Sequence, residues 1–248
     1  MVLTLFGLLG LLPAFLRAQI SVNAGFGPSR DELLQNQQLV SLFGVSAATE
    51  LAGCPTIVLA IGVVTLLALP FFVVLLGHDA ISDDVDRGVS RWILVRASRA
   101  GLFVGKLLGI WASLSVLLLL LFVCSTAIVG LSGGVGLGDA ARWSAKFWVT
   151  ASAMCFPYLS LTMFLSAVMV PSTRALLLAL GALFALSIGH GFVEHVSPAA
   201  ARIWFPGSYD SFLLSVNGAE VWVGVGLVSA WGAFWVIAGI IAMSFRDV

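Results

Sequence analysis

The chain has 248 residues, 60% apolar and only 10% charged, with twelve Lys plus Arg balancing twelve Asp plus Glu. An ordinary soluble domain carries about 25% charged residues, so this composition, with a mean hydropathy of +1.09, excludes a disordered chain, a disulfide scaffold and a nucleic-acid binder. No net charge is left to steer an acidic or basic partner.

Apolar runs of about 18 or more residues recur along the chain, and each is long enough to cross a bilayer. Continuous runs such as Leu114 to Val123 lack the alternation of a lipid-facing β-strand. The expected fold is therefore all-α: a polytopic membrane protein, one transmembrane domain over residues 1–248, with six transmembrane helices. The spans fall at about 2–16, 55–77, 102–131, 147–170, 175–193 and 221–245. The first contains Pro13 and closes at Arg17. It has no basic segment ahead of it and no small-x-small site before Gln19, so a retained span is expected over a cleaved signal peptide.

The connections differ in length and charge. Residues 17–54 form a long polar loop in which Ser29-Arg30-Asp31-Glu32 reads as a capping box opening a helix toward Phe43. Residues 79–106 hold nine of the 24 charges. Pro171 to Arg174 is a tight turn, and residues 194–220 form a second long loop. Placing the 79–106 loop in the cytoplasm puts Arg87, Arg91, Arg96, Arg99, Lys106, Arg174 and Arg246 on that side. Arg17, Arg30, Arg142, Lys146 and Arg202 fall on the other. Seven basic residues against five orient the chain with both termini inside and both long loops outside.

The loop after span two is the most informative stretch. Ile81, Val85, Val89, Trp92 and Val95 recur every three or four residues, an apolar stripe on an amphipathic helix with Asp83, Asp86, Arg87 and Ser90 turned away. Asp83 and Arg87 form an i,i+4 pair in the favourable order. The aspartates precede the basic residues, as the helix dipole favours. By its physics this helix lies on the membrane face or docks on a soluble partner; a solvated loop whose arginines only set topology is the alternative.

These residues resemble the cytoplasmic loop between the second and third helices of ABC-2 type transporter permeases. That pattern is Asp-Ala-Ile, an acidic cluster, Gly-Thr-Leu, Pro-x-x-Arg, then Gly-Lys opening the third helix. Here Asp79-Ala80-Ile81, Asp83, Asp84, Asp86, Gly88, Arg99 and Gly105-Lys106 match. The usual Glu is Asp84, Thr-Leu is replaced by Val89-Ser90, the expected Pro is Arg96, and the family's N-terminal basic amphipathic helix is missing. The motif covers about 28 residues; the rest of the likeness is architectural.

The resemblance implies a permease subunit whose loop, residues 79–101, is a coupling helix seated in a groove of a separate ABC ATPase subunit. The residues it assigns to ATPase coupling are Asp79, Asp83, Asp84, Val85, Gly88, Val89, Trp92 and Arg99. It also implies a second permease subunit, as homo- or heterodimer, and a multi-pass location in the cell's inner (cytoplasmic) membrane. The chain itself is expected to be a transport subunit and no enzyme, with no cofactor, metal or catalytic residue. An apolar interior leans toward a hydrophobic or amphipathic cargo.

Two other functions are compatible with the residues: a membrane assembly factor that recruits a soluble partner, and an intramembrane metal-dependent enzyme built on His190, Glu194 and His195. The spacing H-x-x-x-E-H matches neither zinc-protease signature, and an interfacial polar cap is the expected reading. Gly101-Leu-Phe-Val-Gly105-Lys106-Leu107 has three residues between its glycines instead of four, and Leu where a phosphate-binding loop needs Ser or Thr. Gly101, Gly105 and Gly109 repeat every four residues, a spacing that permits close helix packing. Cys54, Cys124 and Cys155 form no paired framework. Trp143, Trp148, Trp204 and Trp222 are expected to anchor span ends at the interface. Pro70 and Pro157 lie inside spans, and few charges do, which argues against an ion-coupled carrier.

Overall fold

In the computed structural model the described residues are 51, 54–88, 98–132, 136–215 and 217–245. The first expected span and the capping-box helix lie outside them. Among the described residues every regular element is helical: α1 Thr56–Gly77, α2 Ser82–Asp86, α3 Arg99–Ser132, α4 Leu137–Val168, α5 Ser172–Val196, α6 Pro198–Trp204, a single 3-10 turn Pro206–Ser208, α7 Tyr209–Leu213 and α8 Gly218–Ser244. Five segments are long and apolar enough to cross a membrane: Ile57–Asp86, Arg99–Leu131, Leu137–Val168, Ser172–Val196 and Gly218–Ser244. They coincide with the second to sixth expected spans.

The chain alternates between two ends of the bundle. One, the loop end, holds α2, the start of α3 and the end of α8. The other, the hairpin end, holds the end of α3, the start of α4 and residues 198–215. At about 1.5 Å per residue, α3 and α4 are each about 50 Å long and overshoot a hydrocarbon layer of about 30 Å.

α4 is the centre of the bundle and packs on α1, α3, α5 and α8. Its most apolar window is 72% buried within the protein, against 11% for α5. That explains its composition: Thr150, Ser152, Ser160, Thr162 and Ser166 are all buried. Hydroxyls are tolerated there where they find a carbonyl, an amide or another hydroxyl instead of lipid, as Ser160, Thr162 and Ser166 do. Thr162 donates to Tyr158 O at 2.8 Å, and Ser160 donates to Pro157 O at 2.9 Å.

Aromatic side chains fill the seams, and glycines admit them. A Cβ at Gly62 of α1 would stand 2.5 Å from the Phe147 ring of α4. Gly232 and Gly239 of α8 similarly receive Phe156 of α4 and Phe103 of α3. α3 and α4 are also cross-bonded by indoles, Trp111 Nε1 to Ser152 O at 2.8 Å and Trp148 Nε1 to Ser115 O at 2.9 Å. Trp148 therefore acts between helices and not as an interfacial anchor. Trp222, near the start of α8, is 76% exposed and makes no such cross-link. Gly105 and Gly109 make no close packing with any described residue.

Residues 198–213 differ most from expectation. An outer loop was expected; instead α6, the Pro206–Ser208 turn and α7 form a re-entrant hairpin. Trp231 Nε1 donates to Trp204 O at 3.1 Å. α6 has seven residues, and Phe205 at its end lies against Gly189, seven residues before the end of α5, so the hairpin descends about 10 Å alongside the bundle. Such backbone is viable at membrane depth when protein satisfies it. Tyr209 Oη donates to Ile203 O at 2.8 Å and so ties the two arms together.

Candidate functional site

The residues that the sequence points to gather at the loop end. α2 starts at Ser82, and its first amide donors need acceptors from outside the helix. Ser166, near the end of α4, supplies one: its Oγ accepts from Ile81 N at 3.1 Å and Ser82 N at 3.0 Å. Ser166 in turn donates to Ser82 Oγ at 3.3 Å, and Ser82 donates to His78 O at 3.0 Å. Both serines are fully buried, and every polar group in this chain of bonds is satisfied.

From the other side Lys106 of α3 holds the same segment. Its ammonium pairs with the Asp84 carboxylate and donates to Ala80 O. Both side chains are about three-quarters buried, so the pair is screened less than a surface one. The loop is thus clamped between α3 and α4. A third tie comes from Arg99, whose Nη1 donates to Met243 O at 2.9 Å and Ser244 O at 3.1 Å. A cation there meets the unsatisfied carbonyls and negative dipole end of α8.

The expected pair Asp83–Arg87 forms at 2.9 Å. Gly88 adopts φ +68° and its N–H returns to Val85 O at 3.1 Å. That left-handed cap suits glycine, and it ends α2 after five residues. The single helix expected across residues 79–95 is therefore interrupted at Gly88. Val89, Trp92 and Val95 lie outside the described residues, so their share of the stripe is not on view.

The described start of the stripe faces inward. Ile81 is 1% exposed, and Val85 is half-buried against the core of its own chain. The exposed side of the segment carries Asp79, Asp86 and Arg87, with Asp83 partly accessible beside them. An acidic face, not an apolar one, is what the described part of the loop presents.

Lys106 sits within α3 and is engaged by Asp84; residues 101–107 form no phosphate-binding loop. At the hairpin end His190 Nδ1 lies 3.7 Å from Glu194 Oε2, and its Nε2 lies 2.6 Å from Ser208 Oγ. His195 is exposed and takes no part. Among the described residues no three His, Cys, Asp or Glu side chains are grouped to hold a metal. The cluster pins the hairpin to α5.

One polar group was not foreseen. Asp210 of α7 is half-buried within the hairpin. The Ser211 N–H reaches its Oδ1 at 2.7 Å. Tyr158 of α4 is within electrostatic reach, and its Oη lies 3.9 Å from where a Cβ on Gly207 would stand.

No curated protein matches the chain. A family described as ABC-2 family transporter protein matches it over residues 1–219. That match covers most of the sequence and takes in the loop, the central helix and the hairpin, and the chain therefore belongs to the ABC-2 family of transporter membrane proteins.

Proposed function

We propose that this chain is the permease subunit of an ATP-driven exporter. It works with an ABC ATPase on a separate chain and pairs with a second permease subunit in the cytoplasmic membrane. The loop end faces the cytoplasm, as the bias of basic residues favours. The ATPase binds the exposed acidic side of the loop at Asp79, Asp83, Asp86 and Arg87.

The observation that carries this reading is the clamp on residues 80–84. A motor subunit can move spans only through a segment held rigidly to them. Ser166 and Lys106 attach this segment to α4 and α3, and Arg99 extends the attachment to α8. α4 touches all the other described spans, so a displacement entering through Ser166 reaches each of them. An assembly factor needs only an exposed recruiting surface, and a three-helix clamp behind that surface favours the transporter.

The test is purification from native membranes. An ATPase with a Walker A loop should co-purify, and Asp79→Lys with Asp86→Lys should cut its recovery at matched membrane levels. Glu194→Lys at the hairpin end should leave recovery unchanged. Equal recovery from all variants would reject the acidic side of the loop as the docking face.

A further inference from the structure

We infer that the seam between α3 and α4 is a two-position sliding joint, in which two indoles pass together from a serine carbonyl to the hydroxyl of the same serine. The joint stands on its own geometry; only its coupling to ATP rests on the permease reading.

The two indoles cross the seam in opposite senses. Trp111 Nε1 of α3 donates to Ser152 O of α4 at 2.8 Å, and Trp148 Nε1 of α4 donates to Ser115 O of α3 at 2.9 Å. The hydroxyl oxygens of these same two serines are buried, and neither has a hydrogen-bond partner among the described residues. Ser160, Thr162 and Ser166 of α4 each have one. A buried hydroxyl left unpaired is costly and calls for a reason. Here each belongs to a residue that already receives an indole, so each indole has a second acceptor beside its first.

Both transfers run in one direction. In a helix the carbonyl points to the C-terminus, while the Cα–Cβ bond tilts to the N-terminus. α3 runs away from the loop end and α4 runs back toward it. The hydroxyl is therefore displaced from its carbonyl toward the loop end at Ser115, and toward the hairpin end at Ser152. Trp148 reaches Ser115 Oγ, and Trp111 reaches Ser152 Oγ, by a single motion: α4 slides toward the loop end relative to α3. The step is about 3 Å, two residues of helical rise. Shear of this size between packed helices is an established kind of conformational switch.

Other contacts follow the slide. Ser144 Oγ of α4 lies 2.7 Å from Thr126 Oγ1 and 3.3 Å from Ser125 Oγ of α3. The motion carries it from the level of Thr126 toward that of Ser125, so a hydroxyl partner is kept. Phe147 of α4 is seated at Gly62, so α1 travels with α4. α8 receives Phe156 of α4 at Gly232 and Phe103 of α3 at Gly239; held at two levels by helices that slide past one another, it tilts. A pull on the loop reaches α4 through the short Ser166 contact and α3 through the long Lys106 side chain, and so favours this shear.

The experiment is nitrogen relaxation dispersion at the indole N–H groups of the tryptophan-labelled chain in phosphatidylcholine nanodiscs. Trp111→Phe and Trp148→Phe assign the two resonances. Microsecond-to-millisecond exchange should appear at both indoles with one common rate. Ser152→Ala removes the second acceptor of Trp111 alone, yet it should suppress exchange at Trp148 as well, by lowering the second population about tenfold. Ser115→Ala should do the same in reverse, and Ser160→Ala should change neither indole. Absence of exchange at both indoles, exchange that persists in both serine variants, or exchange that each variant quenches only at its own indole overturns the joint. No ATPase is present, so failure here is separate from failure of the co-purification test.

Discussion

Ser166→Ala isolates the contact that joins the loop to the central helix. The substitution removes one oxygen and no hydrophobic surface, so packing of α4 is preserved. It leaves the buried Ile81 and Ser82 amides without their acceptor. A buried donor deprived of its partner costs about 1–3 kcal/mol. Because the two amides share one oxygen, the lower bound for each is the better figure, giving about 2 kcal/mol for the pair. That energy falls on local opening of residues 79–88, not on unfolding of the bundle. At about 1.4 kcal/mol per factor of ten, hydrogen exchange at Ile81 and Ser82 should speed up about 30-fold. Exchange mass spectrometry on the chain in nanodiscs reads this directly. Ser160→Ala is the control, since Ser160 bonds to Pro157 O within its own helix at 2.9 Å; it should leave residues 79–88 unaffected. Unchanged protection at Ile81 and Ser82 in Ser166→Ala would refute the clamp.

Breaking either partner of Asp84–Lys106 should lower the unfolding midpoint in detergent. A double-mutant cycle with Asp84→Asn and Lys106→Gln should return a coupling of about 1 kcal/mol, and zero coupling would remove the pair from the account. Gly239→Val drives a side chain into Phe103 and should cost about 1–3 kcal/mol, partly recovered by Phe103→Ala; a neutral effect in thermal melts would mean that α3 and α8 do not meet there. Gly88→Ala forces a Cβ into left-handed backbone and should destabilise the loop by about 1 kcal/mol, seen as faster exchange at residues 82–88. The isolated chain should hydrolyse no ATP, and magnesium-dependent turnover abolished by Lys106→Ala would contradict the division of labour proposed here.

Spans two to six were legible in the sequence because each is an apolar run bounded by charge. α4 was the partial exception. It begins at Leu137, ten residues before the expected start, since Asp139, Arg142 and Lys146 read as a loop. They belong to the part of a long helix that overshoots the membrane, and Lys146 lies 5.2 Å from the centre of the Trp143 ring. The re-entrant hairpin was hidden because its two short helices are individually too brief to carry a period. Only Pro198 and Pro206, each opening a short element, hinted at it. In the loop, the i,i+4 pair Asp83–Arg87 was readable from spacing. Asp84–Lys106 and Ser166 were not: partners 22 and 84 residues away become neighbours only through the topology. Of the expected stripe only Ile81 and Val85 are described, and they cover the protein's own core instead of a partner. Asp210 sat unnoticed in a segment taken for a solvated loop.

The central claim is that a soluble ATPase sits on the loop end and engages residues 79–88. A photo-crosslinking amino acid at Asp86, exposed on the loop, and another at Val196, 71% exposed at the opposite end, test it in intact cells. The account predicts a covalent adduct from position 86 to a polypeptide that carries a Walker A loop and binds ATP, and no such adduct from position 196. Adducts to that ATPase from position 196 and none from position 86 would contradict it.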